Sequence, residues 1–181
     1  DAIRLESLAG FARDRLGNAW VVKELAVPIA ILRDTGDRGL PAVFRGTTAT
    51  GQSLRDHAVL AEGRLFRPLS DEIVVGAQVA KALQLHTGDS AGIGPRQWRV
   101  VGVFRGSNTA LDNEIWGDID VVMQASRRTH FSSVLARVEG PGALPGLARA
   151  IADDRRSELA VFDEREFYRA QTLALTRFLH L

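Results

Sequence analysis

The sequence predicts an α+β fold with mixed sheets, from the order in which helix and strand patterns follow one another. Apolar residues recur at helical spacing in segments such as Leu144 to Ala152, while Trp98 to Phe104 is rich in β-formers between turn residues. These two kinds of segment alternate irregularly, whereas a doubly wound parallel sheet needs regular alternation. The 181 residues suffice for one large domain or two small subdomains.

Helices are predicted where apolar residues recur every three or four positions and a capping residue precedes or follows them. In chain order they are Asp1 to Leu16, Ser53 to Leu60 with Ser53 as N-cap, Ala77 to Leu85 with Gly88 as C-cap, Leu144 to Ala152, and a last helix capped by Asp163. Asp163 and Glu166 have the spacing of a capping box. The predicted apolar face of the last helix is Phe167, Ala170, Ala174, Phe178 and Leu181.

Strands are predicted where β-branched and aromatic residues cluster between turn residues. They are Ala19 to Lys23, Val27 to Leu32, Leu40 to Gly46, Ile73 to Val75, Ser90 to Ile93, Trp98 to Phe104, Ile115 to Met123, Phe131 to Val138 and Leu159 to Phe162. The first two are either separate strands or one strand broken near Pro28. Polar turns at Asp34 to Gly39 and at Gly94-Pro95 predict two hairpins.

Composition excludes several classes of protein. The 23 basic and 22 acidic side chains are interspersed and leave a formal charge of +1, so no field of one sign would attract nucleic acid. The absence of cysteine removes disulfides, thiol nucleophiles and cysteine-ligated zinc. No segment approaches the ~20 apolar residues of a membrane helix. The chain begins at Asp1 rather than Met, which indicates a piece of a longer protein.

The residues that could carry chemistry do not form a recognisable site. The four histidines lack metal-ligand spacing, and the glycines between Gly88 and Gly106 punctuate a hairpin rather than a nucleotide-binding loop. Ser132 and Ser133 lack the glycines of a nucleophile elbow. We therefore predict no catalytic residue, no cofactor and no metal, and a binding or mechanical module rather than an enzyme.

An acidic cluster surrounds Trp116 and leaves two interpretations open. Alternating carboxylates could converge on calcium, although the spacing and late glutamate of an EF-hand are missing, and a structural loop is favoured. Trp116 itself could be an exposed contact or a core residue that caps a sheet. The carboxylates of the cluster are Asp112, Glu114, Asp118 and Asp120.

Four stretches carry a family resemblance by their order and spacing. They are EGRLFRP from Glu62, DEIVVG from Asp71, AKALQLHTGD from Ala80 and WRVVGVF from Trp98. Together they resemble the MacB-like periplasmic core domain of ABC-transporter permeases, and Asn113 to Asp118 with Phe131 to Val134 resembles a subgroup. The motif positions predicted to define the fold are Gly63, Arg64, Gly76, Gly88, Asp89 and Gly102. Trp116 and Phe131 are candidate partner contacts.

The resemblance implies a domain between two membrane helices of a permease, in the periplasm at the inner membrane. It implies a mixed α/β subdomain from residues 1–68 and 128–181, and a smaller β-rich subdomain from residues 69–127. Both terminal segments would be stalk helices. The implied partners are a cytoplasmic ABC ATPase, a periplasmic protein and a second copy of the permease. Two rival hypotheses are a ligand-binding module with a cleft between subdomains and a hydrolase with an unrecognised site.

Overall fold

The computed structural model describes residues 5–31, 39–106, 109–154 and 159–179, and for residue 109 and residues 172–179 the backbone alone. Most of the predicted turn at Asp34 to Gly39 lies outside the described residues, as does Leu181 of the predicted apolar face. None of the described helices is long and apolar enough to cross a membrane.

Eight strands form one mixed sheet. They are β1 (Val21–Ile31), β2 (Leu40–Thr47), β3 (Val59–Gly63), β4 (Glu72–Gly76), β5 (Ser90–Ile93), β6 (Arg96–Arg105), β7 (Glu114–Asp118) and β8 (Ser133–Ala136). The strand order is β3-β6-β4-β7-β2-β1-β8, and β5 pairs with β6. The pairs β2–β7 and β4–β6 are parallel, and the others are antiparallel. The predicted α+β class and both predicted hairpins are confirmed.

Helices cover both faces of this sheet. They are α1 (Ala49–Leu54), α2 (Ala77–Leu83), α3 (Thr109–Asp112), α4 (Ile119–Ser126), α5 (Leu144–Asp153) and α6 (Glu164–Leu179), with a 3-10 turn at Pro141–Ala143. Because successive strand residues point to opposite faces, β2 places Phe44 on one face and Arg45 on the other. Val79 of α2 and Val122 of α4 pack with Phe44 in a first core.

The second core lies on the opposite face of the sheet and contacts α6. Phe104 and Trp116 stack there with ring centroids 4.1 Å apart, and Tyr168 of α6 packs against the same cluster. A third and smaller core joins the N-terminal turns to β8 and α5 around Phe11 and Leu147. Each large side chain buried in these cores contributes roughly 1.5–3 kcal/mol to stability.

The predicted helix from Asp1 to Leu16 is wrong from Glu6 onwards, whereas Leu5 is helical. Residues 6–20 form turns and two isolated bridges, of which one pairs Phe11 with Val138. Gly10 and Gly17 adopt positive φ angles of 98° and 85°, which interrupt helical geometry. Burial of Phe11 in the third core and the bridge to Val138 override the helical spacing of the apolar residues.

Two other boundaries differ because of helix caps. The helix predicted from Ser53 begins earlier, at Ala49, since the Thr48 hydroxyl accepts a bond from the Gly51 amide, and Val59 already lies in β3. The strand predicted to continue to Met123 ends at Asp118, whose carboxylate accepts from the amides of Asp120 and Val121 and starts α4.

Three further expectations are corrected at turns. Helix α2 ends at a left-handed Gln84 with φ 54°, so Gly88 is not its C-cap. Residues 159–163 contain no regular secondary structure in place of the strand predicted at Leu159 to Phe162. β1 runs unbroken through Pro28, which pairs with Val43. This is possible because β8 covers only Val21 to Glu24 in the described structure, so Pro28 lies on an edge.

The division into two subdomains stays a prediction. The parallel pair β2–β7 joins residues 43–47 of the first predicted part to residues 114–118 of the second. Backbone hydrogen bonds therefore run across the proposed boundary near the middle of the sheet.

Candidate functional site

A cluster of charged side chains lies buried on the face of the sheet that α6 covers. Its members come from separate elements: Glu24 from β1, Arg45 from β2, Glu114 from β7, Arg55 from the end of α1, and Tyr168 from α6. All five are buried, with at most 6% of the surface of any of them exposed. We call these five residues the charged cluster. Charges at this depth are stable only when each is paired and hydrogen-bonded.

Glu24 is held by four donors. Arg55 binds it with two parallel bonds, from Nη1 to Oε1 at 2.7 Å and from Nη2 to Oε2 at 2.8 Å. Arg45 Nη1 donates to Oε2 at 3.0 Å and the Thr47 hydroxyl donates to Oε1 at 2.6 Å. A two-bond guanidinium–carboxylate pair fixes the orientation of both groups. Glu24 thus links the end of α1 to β2.

Glu114 is held in the same way on the other side of Arg45. Arg45 donates from Nε to Oε2 at 2.8 Å and from Nη2 to Oε1 at 2.5 Å. The Trp116 indole donates to Oε2 at 2.7 Å and the Tyr168 hydroxyl donates to Oε1 at 2.9 Å. Arg45 therefore bridges the two glutamates. It also contacts α6, because its Nη2 atom donates to the Tyr168 hydroxyl at 3.0 Å.

The ion pairs keep the cluster charged despite its burial. Burial raises the pKa of Glu24, but the hydrogen bonds and charge of Arg55 and the charge of Arg45 outweigh it and lower the pKa overall. Burial lowers the pKa of Arg45, and the Glu114 carboxylate reverses this and raises it. Burial also raises the pKa of Tyr168, so its hydroxyl stays protonated and donates to Glu114. Two glutamates and two arginines give the cluster no net charge.

Helix α6 is attached to the sheet through this cluster. Among its described side chains, residues 164–171, Tyr168 is the one that is buried. One turn earlier, Glu164 Oε1 lies 3.0 Å from Arg55 Nε as an ion pair, without hydrogen-bond geometry. Tyr168 packs between Phe167 and the second core, and its ring lies 6.0 Å from the Arg45 guanidinium. A movement of α6 would therefore act directly on Arg45 and Arg55.

The α1 side of the cluster is less well satisfied than the sheet side. Both amide atoms of Gln52, which is buried, and Nε2 of His57 lack a hydrogen-bond partner among the described residues. The His57 Nε2 atom lies 3.8 Å from Glu164 Oε2, beyond hydrogen-bond range. Since an unpaired buried polar group costs about 1–3 kcal/mol, the contact between α1 and α6 is the weaker part of the cluster.

The hydrogen bonding of the cluster fits a structural role. Four donors saturate the carboxylate of Glu24 and four saturate that of Glu114, so neither carries a free lone pair for a base or a ligand. In the described part of the chain, no group of three or more His, Asp or Glu side chains has the arrangement of a metal site. What the cluster does is bind three strands, α1 and α6 to one another.

The family follows from a comparison with known proteins. A profile for the MacB-like periplasmic core domain matches residues 7–154. The chain belongs to this family. The MacB-like match makes it the periplasmic domain of a MacB-like ABC-transporter permease, and the family is not a known class of enzyme. No curated protein sequence matches it significantly.

Solved structures of three transporter or permease domains share the fold. The extracellular domain of the noncanonic ABC-type transporter YknZ from Gram-positive bacteria aligns with a TM-score of 0.62 and 13% identity, over 88% of this chain and 84% of that one. The periplasmic region of MacB from Actinobacillus actinomycetemcomitans aligns with a TM-score of 0.60 and 13% identity, over 87% and 73%. A domain of a putative permease protein from Porphyromonas gingivalis aligns with a TM-score of 0.53 and 12% identity, over 86% of this chain and 67% of that one.

The two candidate partner contacts of this MacB-like domain lie in different environments. Trp116 is 1% exposed and stacks on Phe104, so the core alternative holds and no surface is left for a partner. The reason is its indole N–H, which is satisfied by buried Glu114. Phe131 is 37% exposed and lies next to Lys23, whose ammonium group is 5.5 Å from the ring centroid. Phe131 remains a proposed contact.

The acidic residues around Trp116 are divided among structural roles. Glu114 belongs to the charged cluster and Asp118 caps α4. The Asp112 carboxylate accepts from the Gly106 amide at 2.6 Å, and Asp120 is exposed in the first turn of α4. These side chains point to different neighbours, so they do not converge as the calcium alternative requires.

Ser132, Ser133 and His130 are not paired with one another in the described structure. Ser132 Oγ accepts from the Ala26 amide at 2.8 Å, and Ser133 Oγ is buried without a partner among the described residues. His130 Nδ1 lies 2.9 Å from the Thr129 hydroxyl. A nucleophile needs a base within hydrogen-bond reach, and this arrangement offers none.

The glycines of the family motif lie where backbones approach closely. A Cβ atom on Gly63 would lie 2.2 Å from the Val101 carbonyl oxygen, and one on Gly102 would lie 2.4 Å from that of Arg64. A Cβ atom on Gly76 would lie 2.3 Å from the Asp112 carbonyl oxygen. Gly88 has space around it but a φ of +103°. These contacts support the proposal that the motif positions define the fold.

Gly76→Ala provides a test of that proposal. Because the clash is with backbone rather than with a flexible side chain, we expect the free energy of unfolding to fall by about 1–3 kcal/mol or more. Gly146→Ala is the matched control, since nothing lies within 4 Å of its Cβ position inside α5 and alanine favours helix by up to about 1 kcal/mol. Urea unfolding followed by tryptophan fluorescence measures both. Equal stability of the two variants would contradict the proposal.

The remaining motif residues form polar contacts at turns. Arg64 binds Glu72 with two bonds of 2.5 and 2.7 Å, which tie the turn after β3 to the start of β4. The Asp89 carboxylate accepts from the His86 amide at 2.7 Å and closes the turn after α2. Both contacts are partly exposed, unlike the charged cluster.

The Arg64–Glu72 pair predicts that part of the free energy of unfolding is lost at acid pH. The hydrogen bonds and charge of Arg64, with the hydrogen bond from the Arg67 amide, lower the pKa of Glu72 from 4.5 to about 2, so the folded protein binds a proton less readily than the unfolded chain. The contribution is complete above pH 4.5 and is lost as the pH falls towards 2. Glu72→Gln should flatten the stability profile in that window, and Arg64→Gln should flatten it less, because the Arg67 amide still donates to Glu72. A Glu72→Gln profile parallel to the wild type would contradict this assignment.

The sequence reasoning missed most of the charged cluster. Glu24, Arg45 and Arg55 were not singled out, and Glu114 was assigned to the acidic loop. One signal was available: Arg45 lies directly after Phe44 in β2, and Glu114 directly precedes the apolar pair Ile115 and Trp116 in β7. A second signal was Tyr168, the single tyrosine of the chain, within an amphipathic helix. Neither signal identifies which charges meet, because that depends on the strand order.

Proposed function

We propose that this periplasmic domain transmits ATP-driven motion of stalk helices to an export step, to lipoprotein release or to a periplasmic partner. ATP hydrolysis belongs to the ABC ATPase that the family implies in the full system. The domain itself contributes a rigid body and a defined point of attachment. Inner-membrane placement and a dimer of permeases are part of the same proposal.

The observation that carries this proposal is the attachment of α6 through the charged cluster. α6 is a 16-residue helix, about 24 Å long at 1.5 Å per residue, and it follows the matched region at the C-terminal side. Its first half is fixed to the sheet by Tyr168 and by the ion pair of Glu164 with Arg55. A stalk that continues this helix would deliver force to Arg45 and Arg55 rather than to a loop.

Buried, directional contacts favour a mechanism with two discrete states of α6, docked and undocked. Docked α6 satisfies Glu114 with the Tyr168 hydroxyl, and an undocked α6 would leave that buried carboxylate with one donor fewer. Intermediate positions lose the hydrogen bond without gaining water, so they are unfavourable. Packed interfaces of this kind switch between arrangements rather than deform continuously.

The test measures α6 in the full-length permease with its ATPase in liposomes. These 181 residues contain no cysteine, so once any cysteine elsewhere in the permease and its ATPase is replaced, pairs of fluorophores can be attached at introduced cysteines. Glu166→Cys on α6 with Lys81→Cys on α2 reports movement of α6, and Gln97→Cys with Lys81→Cys is a reference pair within the body; all three residues are exposed. ATP with vanadate should change transfer efficiency in the first pair and not in the second. Hydrolysis without any change in the first pair would overturn the proposal.

A further inference from the structure

A second feature lies apart from the charged cluster. A cleft of about 520 Å³ runs between the N-terminal turns, the start of β1 and the first turns of α1 and α4. In the described part of the chain, its lining includes none of the five cluster residues. The cleft therefore can be occupied without disturbing the attachment of α6.

The floor of the cleft is apolar and aromatic. The lining includes Trp20 just before β1, Val21 in its first position, Met123 of α4 and the exposed ring of Phe131. Trp20 and Met123 are half-buried, so part of each side chain remains accessible. Accessible tryptophan and phenylalanine in a concave surface are typical anchors of protein–protein contacts.

The rim of the cleft is acidic. Glu6 and Asp14 of the N-terminal turns and Asp120 of α4 contribute three carboxylates, and Lys23 contributes one ammonium group. The lining thus has a net charge of −2, whereas the whole chain has +1. An occupant with positive charges at several points matches this distribution, and an anionic occupant does not.

The aromatic rings of the cleft already contact cations of the chain. The Lys23 ammonium group lies 5.5 Å from the centroid of Phe131, and the Arg137 guanidinium lies 5.7 Å from that of Trp20. Arg137 is neutralised by Asp56 at 3.3 Å. Lys23 is exposed and lies inside the cleft, so it occupies a position that a cation of a ligand would need.

We propose that this cleft is a docking site for a short basic segment of a partner protein, with apolar side chains on the floor and Lys or Arg side chains at the rim. A protein segment is favoured over a small amphiphilic cation because the rim has three carboxylates, two from the N-terminal turns and one from α4. A molecule with a single positive charge pairs with only one of them. This proposal describes the periplasmic partner named in the proposed function. It rests on the proposed function in one respect, namely that this partner is a protein.

The experiment measures binding to the 181-residue chain by fluorescence anisotropy, without ATP. The probe is a labelled, amidated hexapeptide LRFKLR, and LEFELE is its charge-reversed control. We expect saturable one-to-one binding of LRFKLR that weakens with salt, and no binding of LEFELE. Phe131→Ala should weaken binding by about 5-fold or more. Asp120→Asn should weaken it by about 2–5-fold, and Glu166→Gln on α6 should leave it unchanged.

Lys23→Ala is the most specific variant. Removing the internal cation from Phe131 should tighten binding by about 2–5-fold. Lys81→Ala removes the same charge from α2, outside the cleft, and should change binding much less.

Three results would overturn the proposal: equal effects of the two lysine variants, binding that Phe131→Ala leaves intact, or one-to-one binding of decyltrimethylammonium in the cleft without binding of LRFKLR. Because ATP and α6 are not involved, failure here leaves the transfer-efficiency test unaffected, and the converse also holds.

Discussion

Glu24→Ala is expected to lower the free energy of unfolding by about 3–5 kcal/mol. The substitution removes the carboxylate that binds Arg55 with two bonds and Arg45 with one, and leaves two buried guanidinium groups short of a counter-charge. A typical domain has only 5–15 kcal/mol of stability, so the variant should unfold at a much lower urea concentration. Tryptophan fluorescence follows the transition, because Trp98 and Trp116 are buried.

The control separates lost charge pairing from the loss of any glutamate. Glu166→Ala removes an exposed glutamate from α6 and should change stability by no more than about 0.5 kcal/mol. If Glu24→Ala were as mild as Glu166→Ala, the charged cluster would contribute nothing to stability. The double replacement of Glu24 and Arg55 by methionine should recover part of the loss, because a well-packed apolar pair avoids the desolvation penalty.

Tyr168→Ala is expected to cost about 3–5 kcal/mol and to detach the first half of α6. The change removes a large buried side chain from the second core and a donor from Glu114. Phe167→Ala, one residue earlier, is the matched control and should cost less than about 1 kcal/mol, since Phe167 is 41% exposed. Urea unfolding gives the stability, and protease sensitivity of residues 164–179 gives the detachment.

Tyr168→Phe isolates the hydroxyl from the ring. Packing is retained, while Glu114 loses one of four donors and Arg45 Nη2 loses an acceptor, so about 1–3 kcal/mol should be lost. In the full-length permease this variant should reduce the ATP-dependent change of the α6 fluorophore pair and leave ATP hydrolysis intact. If Phe167→Ala lowered the free energy of unfolding more than Tyr168→Ala, then Phe167 rather than Tyr168 would face the sheet, contrary to the orientation of α6 described above.

Much of the fold was predictable because local patterns and tertiary contacts agree there. The hairpin of β5 and β6 has alternating residues around Gly94-Pro95, and α5 has a clean apolar face with Leu147 and Ile151 buried. The N-terminal segment was mispredicted because Phe11 is buried through a strand bridge to Val138, a contact that helical spacing does not reveal. Asp118 was missed as a cap because the strand before it and the helix after it are both apolar.

The site was harder to predict for a physical reason. In α6, Phe167 is more hydrophobic than Tyr168, so hydropathy predicts that Phe167 faces the sheet. The buried position, however, lies next to the Glu114 carboxylate and the Arg45 guanidinium, and the Tyr168 hydroxyl can hydrogen-bond to both whereas phenylalanine cannot. The partners of Tyr168 come from β2 and β7, which become neighbours through a parallel pairing across residues 48–113. No local pattern in the sequence encodes that pairing.

That same pairing sets the order of assembly of the domain. Strand β2 cannot acquire its parallel neighbour until the chain has been synthesised through Asp118, and closing so long a loop is entropically costly. Folding should therefore be slow for a domain of this size, as expected when contacts between distant residues dominate. Until residues 114–118 are available, the β2 edge lacks its parallel partner and Arg45 lacks Glu114, so we expect the chain to be most prone to aggregation at this stage.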